Sequence, residues 1–335
     1  ATKNGHRNRV LLTLAKISTQ QNNLEAAEKY LNEYYGLYPD KKKDDTQLAN
    51  IYIKRGELKR ARTHYENIEL LNPTDFKNSL RIGNIYSKEG EYDKALERYE
   101  QAVSDASTTT DSISAYHNIM KLNAKFGLAE AYKKVGLVRL ELMKTYFPSV
   151  YVTSALMQDA GDYVELGEIE AIENIFKDMN KYSPNMIPYT DCLMDFTTAI
   201  TSDNKEKLEN TFTGFCKQMI TNSNSYDYLI RGYLSKIDGD YSSAIQLFET
   251  YIDSSGAATD VTLSGLPESY IETGQPEKAV AFCSEYLISN PSHPYYLGEL
   301  VAAYIAQGEK EKAREHYKRL QTIWANVTPK HFYYD

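Results

Sequence analysis

Cysteine and tryptophan are scarce in this sequence, and the motifs that mark common enzyme classes are missing. Among 335 residues there are one tryptophan and three cysteines, Cys192, Cys216 and Cys283. The cysteines are odd in number and form no CxxC pair, so we expect buried thiols in a reducing compartment rather than a disulfide framework. Glycine-rich nucleotide motifs, GxSxG and HExxH do not occur, and none of the six histidines lies near a cysteine at a zinc-ligand spacing. We therefore expect no catalysis, no cofactor and no metal.

Basic excess and long apolar runs are missing as well. The net charge is −8 with an isoelectric point near 5.4, which argues against a nucleic-acid partner because phosphate contacts need basic excess. No apolar run reaches membrane-spanning length and no secretory signal is visible, so we expect a soluble protein without direct membrane insertion, with the cytoplasm favoured over the periplasm or another envelope location. The charge is uneven: residues 1–100 hold 18 basic and 15 acidic side chains, and the remainder holds 20 and 31.

Apolar and aromatic residues are plentiful, and tyrosine dominates the aromatics. Hydrophobic residues make up 42% of the chain, which is enough for a buried core. There are 29 tyrosines against 10 phenylalanines. The length exceeds what one compact core usually serves, so the composition indicates two domains or a repeat array.

A set of small, aromatic and turn residues recurs at a spacing of 34, which is the strongest signal in the chain. One copy contains Ile51, Tyr52, Gly56, Ala61, Tyr65 and Pro73, and the next contains Ile85, Tyr86, Gly90, Ala95, Tyr99 and Ser107. A weaker copy precedes them, with Ala15, Asn22, Ala27, Leu31 and Pro39. Two more lie near the end, with Leu266, Tyr270, Gly274, Ala279, Cys283 and Pro291, and with Leu300, Tyr304, Gly308, Ala313, Tyr317 and Ala325.

Each copy predicts two helices joined by a tight turn. In the second copy the apolar residues fall at helical spacing on both sides of Gly56, and glycine tolerates the left-handed conformation that ends a helix. Pro73 ends the second helix because its ring cannot continue one. One such hairpin cannot bury its apolar face alone, so the copies must stack. We interpret the tyrosines at two repeat positions as packing residues: Tyr52, Tyr86, Tyr163, Tyr270 and Tyr304, and Tyr65, Tyr99 and Tyr317.

This pattern resembles the tetratricopeptide repeat (TPR), a helix–turn–helix unit with the same period. The resemblance implies an all-α, right-handed superhelical solenoid of TPR-like helical hairpins. We predict three regular repeats at 8–109, an irregular longer hairpin at 110–152, degenerate repeats at 153–258, two regular repeats at 260–327 and a tail at 328–335. The function implied is that of a non-catalytic scaffold whose concave groove binds a protein or peptide.

The resemblance also implies where a peptide would bind. In this family the second, fifth, sixth and ninth positions of each repeat line the groove. The side chains at these positions in the first three repeats include five cations and two asparagines, namely Arg9, Lys16, Lys43, Asn50, Lys77, Arg81 and Asn84. Such side chains suit an acidic or C-terminal peptide segment.

The array is similar in part to the carboxylate clamp of TPR co-chaperones. Lys77 and Arg81 match its third-repeat pair. Gln47, Leu12 and Lys16 replace the clamp's Asn, Lys and Asn, so the pattern does not identify a heat-shock tail as the ligand. A solvated helix face would give the same charges.

Four tyrosines near helix starts form a second candidate contact surface, Tyr226, Tyr228, Tyr295 and Tyr296. Tyrosine is favoured at protein interfaces and equally in ordinary packing at helix starts. Two other functions remain open: a peptide-sensing module that controls an attached effector domain, and an assembly factor that dimerises through residues 110–152. The oligomeric state is left open.

Overall fold

The computed structural model describes residues 3–38, 46–182, 184, 187–211, 224–255 and 265–327. These residues form eighteen helices, whose consecutive pairs we call hairpins 1 to 9. Hairpins 1 to 5 are Lys3–Gln20 with Leu24–Leu37, Gln47–Lys54 with Leu58–Glu69, Phe76–Glu89 with Tyr92–Asp105, Thr109–Lys125 with Ala129–Tyr146, and Ser149–Glu165 with Ile169–Tyr182. Hairpins 6 to 9 are Ile187–Thr201 with Lys205–Asn210, Asn224–Ile237 with Tyr241–Ser255, Gly265–Glu272 with Pro276–Ser289, and Pro294–Ala306 with Lys310–Ile323. The described ranges contain no strand, which confirms the all-α prediction.

A residue with positive φ stands in the turn of every hairpin. Seven of these residues are glycines, namely Gly56, Gly90, Gly127, Gly167, Gly239, Gly274 and Gly308. The other two are Asn22 (φ 57°) and Asp203 (φ 46°), which belong to the residue types that tolerate the left-handed region best after glycine. The turn residue therefore marks the repeat more faithfully than any other position.

Small residues let the two helices of a hairpin approach closely. Ala27, Ala61 and Ala95 are fully buried at equivalent positions in hairpins 1 to 3. A Cβ at Gly83 would lie 2.6 Å from the Tyr99 ring, so this crossing requires glycine. The same relation recurs between Gly232 and Phe248, at 2.7 Å.

Hairpins 1 to 3, and likewise hairpins 6 to 9, bury apolar residues in clusters that neighbouring hairpins share. One core cluster joins Ala61 and Tyr65 of hairpin 2 with Ile82 and Ile85 of hairpin 3. A second cluster joins hairpin 1 to the first helix of hairpin 2, and a third joins helices of hairpins 6 to 9. Because burial of apolar surface is the main favourable term in folding, the stacking of neighbours stabilises each unit of the repeat.

The chain divides into two compact units. Unit 1 comprises residues 1–122 together with 285–292, and unit 2 comprises 123–284 together with 293–335. In unit 1, segment 285–292 lies on the turns of hairpins 2 and 3. In unit 2, Trp324 donates a hydrogen bond from Nε1 to the carbonyl of Lys125, at 3.1 Å. The predicted tail at 328–335 lies outside the described residues.

A buried ion pair joins hairpin 4 to hairpin 5. Arg139 pairs with Asp159, and their side chains are 8% and 1% exposed. Nearby, Tyr132 donates a hydrogen bond to Asp162 at 3.2 Å and packs edge-on against Tyr163. Burial, with a contribution from the Asp159 charge, raises the pKa of Tyr163 to about 12.

The prediction that all cysteines are free thiols is wrong. Cys192 is disulfide-bonded, whereas Cys283 is a buried free thiol. Cys216 lies outside the described residues. Disulfide formation depends on the distance between sulfur atoms in the fold, which the spacing of cysteines in a sequence does not reveal. Disulfides persist mainly in oxidising compartments, so the cysteine argument for a reducing compartment no longer holds.

One of the tyrosines interpreted as packing is exposed. Tyr65 and Tyr99 are 3% and 2% exposed, but Tyr317, at the equivalent position in hairpin 9, is 49% exposed. Tyr65 packs against the first helix of the following hairpin. No further hairpin follows Tyr317 within the described residues, which explains its exposure.

Candidate functional site

Six of the seven groove residues predicted from the sequence lie on the first helices of hairpins 1 to 3, within unit 1. Arg9 and Lys16 lie on Lys3–Gln20, Asn50 on Gln47–Lys54, and Lys77, Arg81 and Asn84 on Phe76–Glu89. All are exposed except Arg81, which is partly buried. Lys43 lies outside the described residues.

Two of these residues, Asn50 and Asn84, are oriented by buried tyrosines. The Tyr65 hydroxyl donates a hydrogen bond to Asn50 Oδ1 at 3.3 Å, and the Tyr99 hydroxyl donates one to Asn84 Oδ1 at 2.7 Å. In both pairs the tyrosine follows the asparagine by 15 residues. Because each amide oxygen accepts from a tyrosine, the exposed Nδ2 group is the part of the side chain that can donate to a ligand.

Burial keeps both tyrosines in the hydroxyl form that donates. It raises the pKa of Tyr65, although the nearby Arg81 lowers it somewhat, and it raises the pKa of Tyr99 more strongly. The Tyr99 hydroxyl is also hydrogen-bonded to the Ser87 side chain. Asn84 is therefore held through a chain of hydroxyl groups that reaches the end of its own helix.

Arg81 is positioned by contacts within hairpin 3 and with hairpin 2. Its guanidinium donates to Asn78 Oδ1 at 3.0 Å and lies 5.9 Å from the centroid of the Tyr65 ring. Both contacts leave guanidinium N–H groups available, because Arg carries five donors. Such a group can form a bidentate pair with a carboxylate.

Most other arginines of hairpins 2 and 3 serve packing between neighbouring hairpins. Arg55 and Arg60 pair with Glu28 of hairpin 1, while Arg62 pairs with Glu89 and Arg98 pairs with Glu69. In contrast, Arg9, Lys16 and Lys77 have no acidic partner among the described residues. The groove cations are thus separate from the ion pairs that join one hairpin to the next.

The second candidate surface is not available to a partner at two of its four positions. Tyr295 and Tyr296 are 7% and 1% exposed and contact each other edge-on with ring centroids 5.2 Å apart. Tyr228 is partly buried against the core of hairpins 6 to 9, and the side chain of Tyr226 lies outside the described part of the structure. Helix-start packing explains the buried rings, so the predicted aromatic contact surface is wrong for Tyr295 and Tyr296.

Acidic groups predominate on the first helices of hairpins 7 to 9 in unit 2. Lys236 lies 2.9 Å from Glu268 and 3.2 Å from Asp203. Burial raises the pKa of the partly buried Glu299 to about 7, and the Glu268 charge adds to this, whereas a hydrogen bond to Tyr295 and the Lys236 charge oppose it. These three helices carry four acidic and two basic residues, whereas the first helices of hairpins 1 to 3 carry eight basic residues and one acidic residue.

A metal site and a membrane-spanning helix each require features that the described ranges lack. No group of three His, Cys, Asp or Glu side chains there is arranged as a metal site would require. None of the helices in those ranges combines the length and the apolar character that crossing a bilayer demands.

Two further features of the repeats have a regular pattern in the sequence. The Asn50–Tyr65 and Asn84–Tyr99 pairs repeat with identical spacing. Gly127 adopts φ 68° in the turn of hairpin 4, at the position of Gly56 and Gly90. It follows Gly90 by 37 residues rather than 34, so it does not fit a fixed period of 34.

Comparison with known proteins finds the tetratricopeptide repeat in two parts of the chain. Models of the tetratricopeptide repeat match residues 9–41 and 80–111. One similar solved structure is the TPR domain of P58(IPK), which is 14% identical, with 96% of each chain covered and a TM-score of 0.31. Another is a tetratricopeptide repeat protein from Parabacteroides merdae, which is 15% identical, with 96% of this chain and 94% of the other covered and a TM-score of 0.31. A search of curated proteins finds no significant match.

Proposed function

Because this chain is a tetratricopeptide-repeat protein, and such repeats serve as protein-interaction scaffolds, we propose that it captures an extended, carboxylate-bearing segment of a partner protein on the first helices of hairpins 1 to 3. The residues that would contact this segment are Arg9, Lys16, Lys43, Asn50, Lys77, Arg81 and Asn84. The scaffold itself carries out no reaction.

The proposal is supported mainly by two asparagine amides that buried tyrosines hold in place, Asn50 and Asn84. The first helices of hairpins 1 to 3 also carry cations, such as Lys16 and Lys77, that have no acidic partner among the described residues. Asn50 and Asn84 keep Nδ2 donors exposed at equivalent positions of successive hairpins. An extended peptide has main-chain carbonyls that can accept from such donors, and side chains held before binding lose less entropy when the ligand arrives. Lys77 and Arg81 lie on the same helix as Asn84 and supply positive charge for a carboxylate.

Affinity would come from several of these groups acting together. An exposed ion pair contributes only about 0–1 kcal/mol, because water screens both charges. Hydrogen bonds that involve a charged group contribute about 1.5–3 kcal/mol each. A carboxylate held by Lys77 and Arg81 at once, with Asn84 on the adjoining backbone, therefore gives a measurable interaction that a single lysine does not.

Isothermal titration calorimetry of the whole chain tests this proposal. The probes are a short acidic peptide with a free C-terminal carboxylate, the same peptide with an amidated C-terminus, and a lysine-rich peptide of equal length. We expect binding of the acidic peptides that weakens with salt, and no binding of the basic one.

The decisive variant is Lys77→Ala/Arg81→Ala, for which we expect a loss of about tenfold or more in affinity. The matched control is Lys312→Ala/Arg314→Ala on Lys310–Ile323, which removes two exposed cations from another helix. Equal affinity of the wild type and of the Lys77/Arg81 variant would refute the proposed site. Circular dichroism of both variants verifies that they are folded.

A further inference from the structure

A segment that is distant in sequence completes unit 1. Ser292 donates from Oγ to the carbonyls of Ser87 at 3.0 Å and Lys88 at 2.8 Å, and its backbone N–H donates to the Lys88 carbonyl at 3.3 Å. Ser292 is 6% exposed. These bonds join residues about two hundred positions apart, whereas the other contacts of hairpins 2 and 3 described above join neighbouring hairpins. We call residues 285–292 the clasp.

The clasp donates hydrogen bonds to two carbonyl groups at the end of a helix. The last carbonyls of an α-helix have no partner within it, and Ser87 and Lys88 are in the last turn of Phe76–Glu89. In most helices such groups bond to water or to a local cap. Here the Gly90 N–H caps the Ser87 carbonyl at 3.1 Å, and the buried Ser292 of the clasp adds a second donor to that carbonyl and donates to the Lys88 carbonyl.

The turns of hairpins 2 and 3 are shaped for the clasp. A Cβ at Gly56 would lie 2.6 Å from the Ile288 carbonyl oxygen, and one at Gly90 would lie 3.1 Å from Ser292 Cβ. At Gly239 and Gly274, which have the same backbone conformation, a Cβ would meet nothing within 4 Å. Gly56 and Gly90 therefore serve both the turn and the close approach of the clasp, whereas the other two serve the turn alone.

The clasp is connected to the candidate groove through the end of one helix. Ser292 bonds to the carbonyl of Ser87, the Ser87 side chain bonds to the Tyr99 hydroxyl, and that hydroxyl donates to Asn84. If the clasp leaves, the Lys88 carbonyl loses both donors from Ser292 and the Ser87 carbonyl keeps only the Gly90 N–H, so the last turn of the helix frays more readily. Ser87 would then hold Tyr99 less firmly, and Tyr99 would hold Asn84 less firmly.

We propose that docking of the clasp on hairpins 2 and 3 and binding of a carboxylate-bearing peptide at Asn84 strengthen each other. The inference rests on the proposed function, because it takes the peptide as the second ligand. By linkage, a clasp that improves peptide affinity is itself held more tightly when peptide is bound. The clasp acts as a positioning element and does not touch the peptide.

Hydrogen–deuterium exchange with mass spectrometry on the whole chain tests the coupling, using the short acidic peptide as the probe. We expect peptide to slow exchange in residues 285–292 as well as in Phe76–Glu89. In Ser292→Ala, we expect faster exchange in the last turn of that helix and an affinity lower by about fivefold, the factor that corresponds to one net hydrogen bond.

A second variant keeps the test independent of serine chemistry. Gly56→Ala strains a turn with φ 74° and displaces Ile288, whereas Gly274→Ala strains a turn with φ 70° and displaces nothing. We expect the first to weaken peptide binding and to speed exchange in residues 285–292, and the second to leave both unchanged.

The two proposals fail in different ways. If the wild type binds no acidic peptide, the proposed function is refuted and the coupling is refuted with it. If the wild type binds peptide, but Ser292→Ala binds equally well and peptide leaves exchange of residues 285–292 unchanged, the coupling alone is refuted.

Discussion

Breaking the buried ion pair of hairpins 4 and 5 should have one of the largest effects on stability of any substitution in the chain. Arg139→Met keeps a long apolar side chain and removes the charge beside Asp159, whose side chain is 1% exposed. A carboxylate left at such a site loses its counter-charge while remaining shielded from water, which costs about 3–5 kcal/mol. We expect the free energy of unfolding to fall by that amount.

The double variant Arg139→Met/Asp159→Leu separates the loss of the pair from the loss of packing. With both charges gone the desolvation penalty disappears, so we expect most of the stability to return. Urea denaturation followed by circular dichroism measures the three free energies.

An exposed pair on hairpin 9 is the matched control. In the pair between Arg314 and Glu311 the side chains are 62% and 84% exposed. We therefore expect Arg314→Met to change the free energy of unfolding by less than about 1 kcal/mol. A loss below 1 kcal/mol for Arg139→Met, or a double variant that is less stable than the single one, would refute the reasoning.

Three further predictions concern other parts of the chain. The pKa of Glu299 is about 7 in the folded protein against an ordinary 4.5, so between these two pH values the folded state binds more protons than the unfolded state. The free energy of unfolding therefore falls as pH rises through this window. In thermal unfolding, we expect Glu299→Gln to equal the wild type below pH 4.5 and to be more stable above pH 7 by roughly 1–3 kcal/mol. Tyr99→Phe removes the hydroxyl that donates to Asn84. We expect a free energy of unfolding lower by about 1 kcal/mol in urea titration and weaker binding of the acidic peptide in calorimetry. Unchanged values for both would contradict the role given to that hydroxyl. Because Cys192 is disulfide-bonded and Cys283 is a buried free thiol, protein denatured without reductant should react with a thiol reagent at fewer than three cysteines, and three reactive thiols would contradict the structure.

The repeat architecture was predictable because its determinants are local. Gly56, Gly90, Gly274 and Gly308 keep the 34-residue period, and each has the positive φ expected of a hairpin turn. The period changes where helices change length: Ala129–Tyr146 has 18 residues, and Gly167 follows Gly127 by 40. Gly127 belongs to the same series of turn glycines once the spacing between turns is allowed to vary.

The candidate site was only partly predictable, since its orientation depends on contacts between helices. The sequence places Asn50 and Asn84 on the groove, but the hydrogen bonds from Tyr65 and Tyr99 appear only when the second helix packs on the first. The burial of Tyr295 and Tyr296 and the disulfide at Cys192 depend in the same way on the folded chain. The clasp is the extreme case, because Ser292 and Ser87 are separated by 205 residues and no local pattern relates them.

The most direct test of the central claim is to observe the asparagine side chains while a peptide binds. Selective ¹⁵N labelling of asparagine makes the Nδ2 groups of Asn50 and Asn84 visible by nuclear magnetic resonance, and Asn→Gln substitution at each position assigns them. Asn23 and Asn204, which cap helices through their Oδ1 atoms, provide internal controls. On titration with the short acidic peptide, the account predicts shifts of the Asn50 and Asn84 side-chain signals with little change at Asn23 and Asn204. Binding that leaves the Asn50 and Asn84 signals unmoved would contradict it.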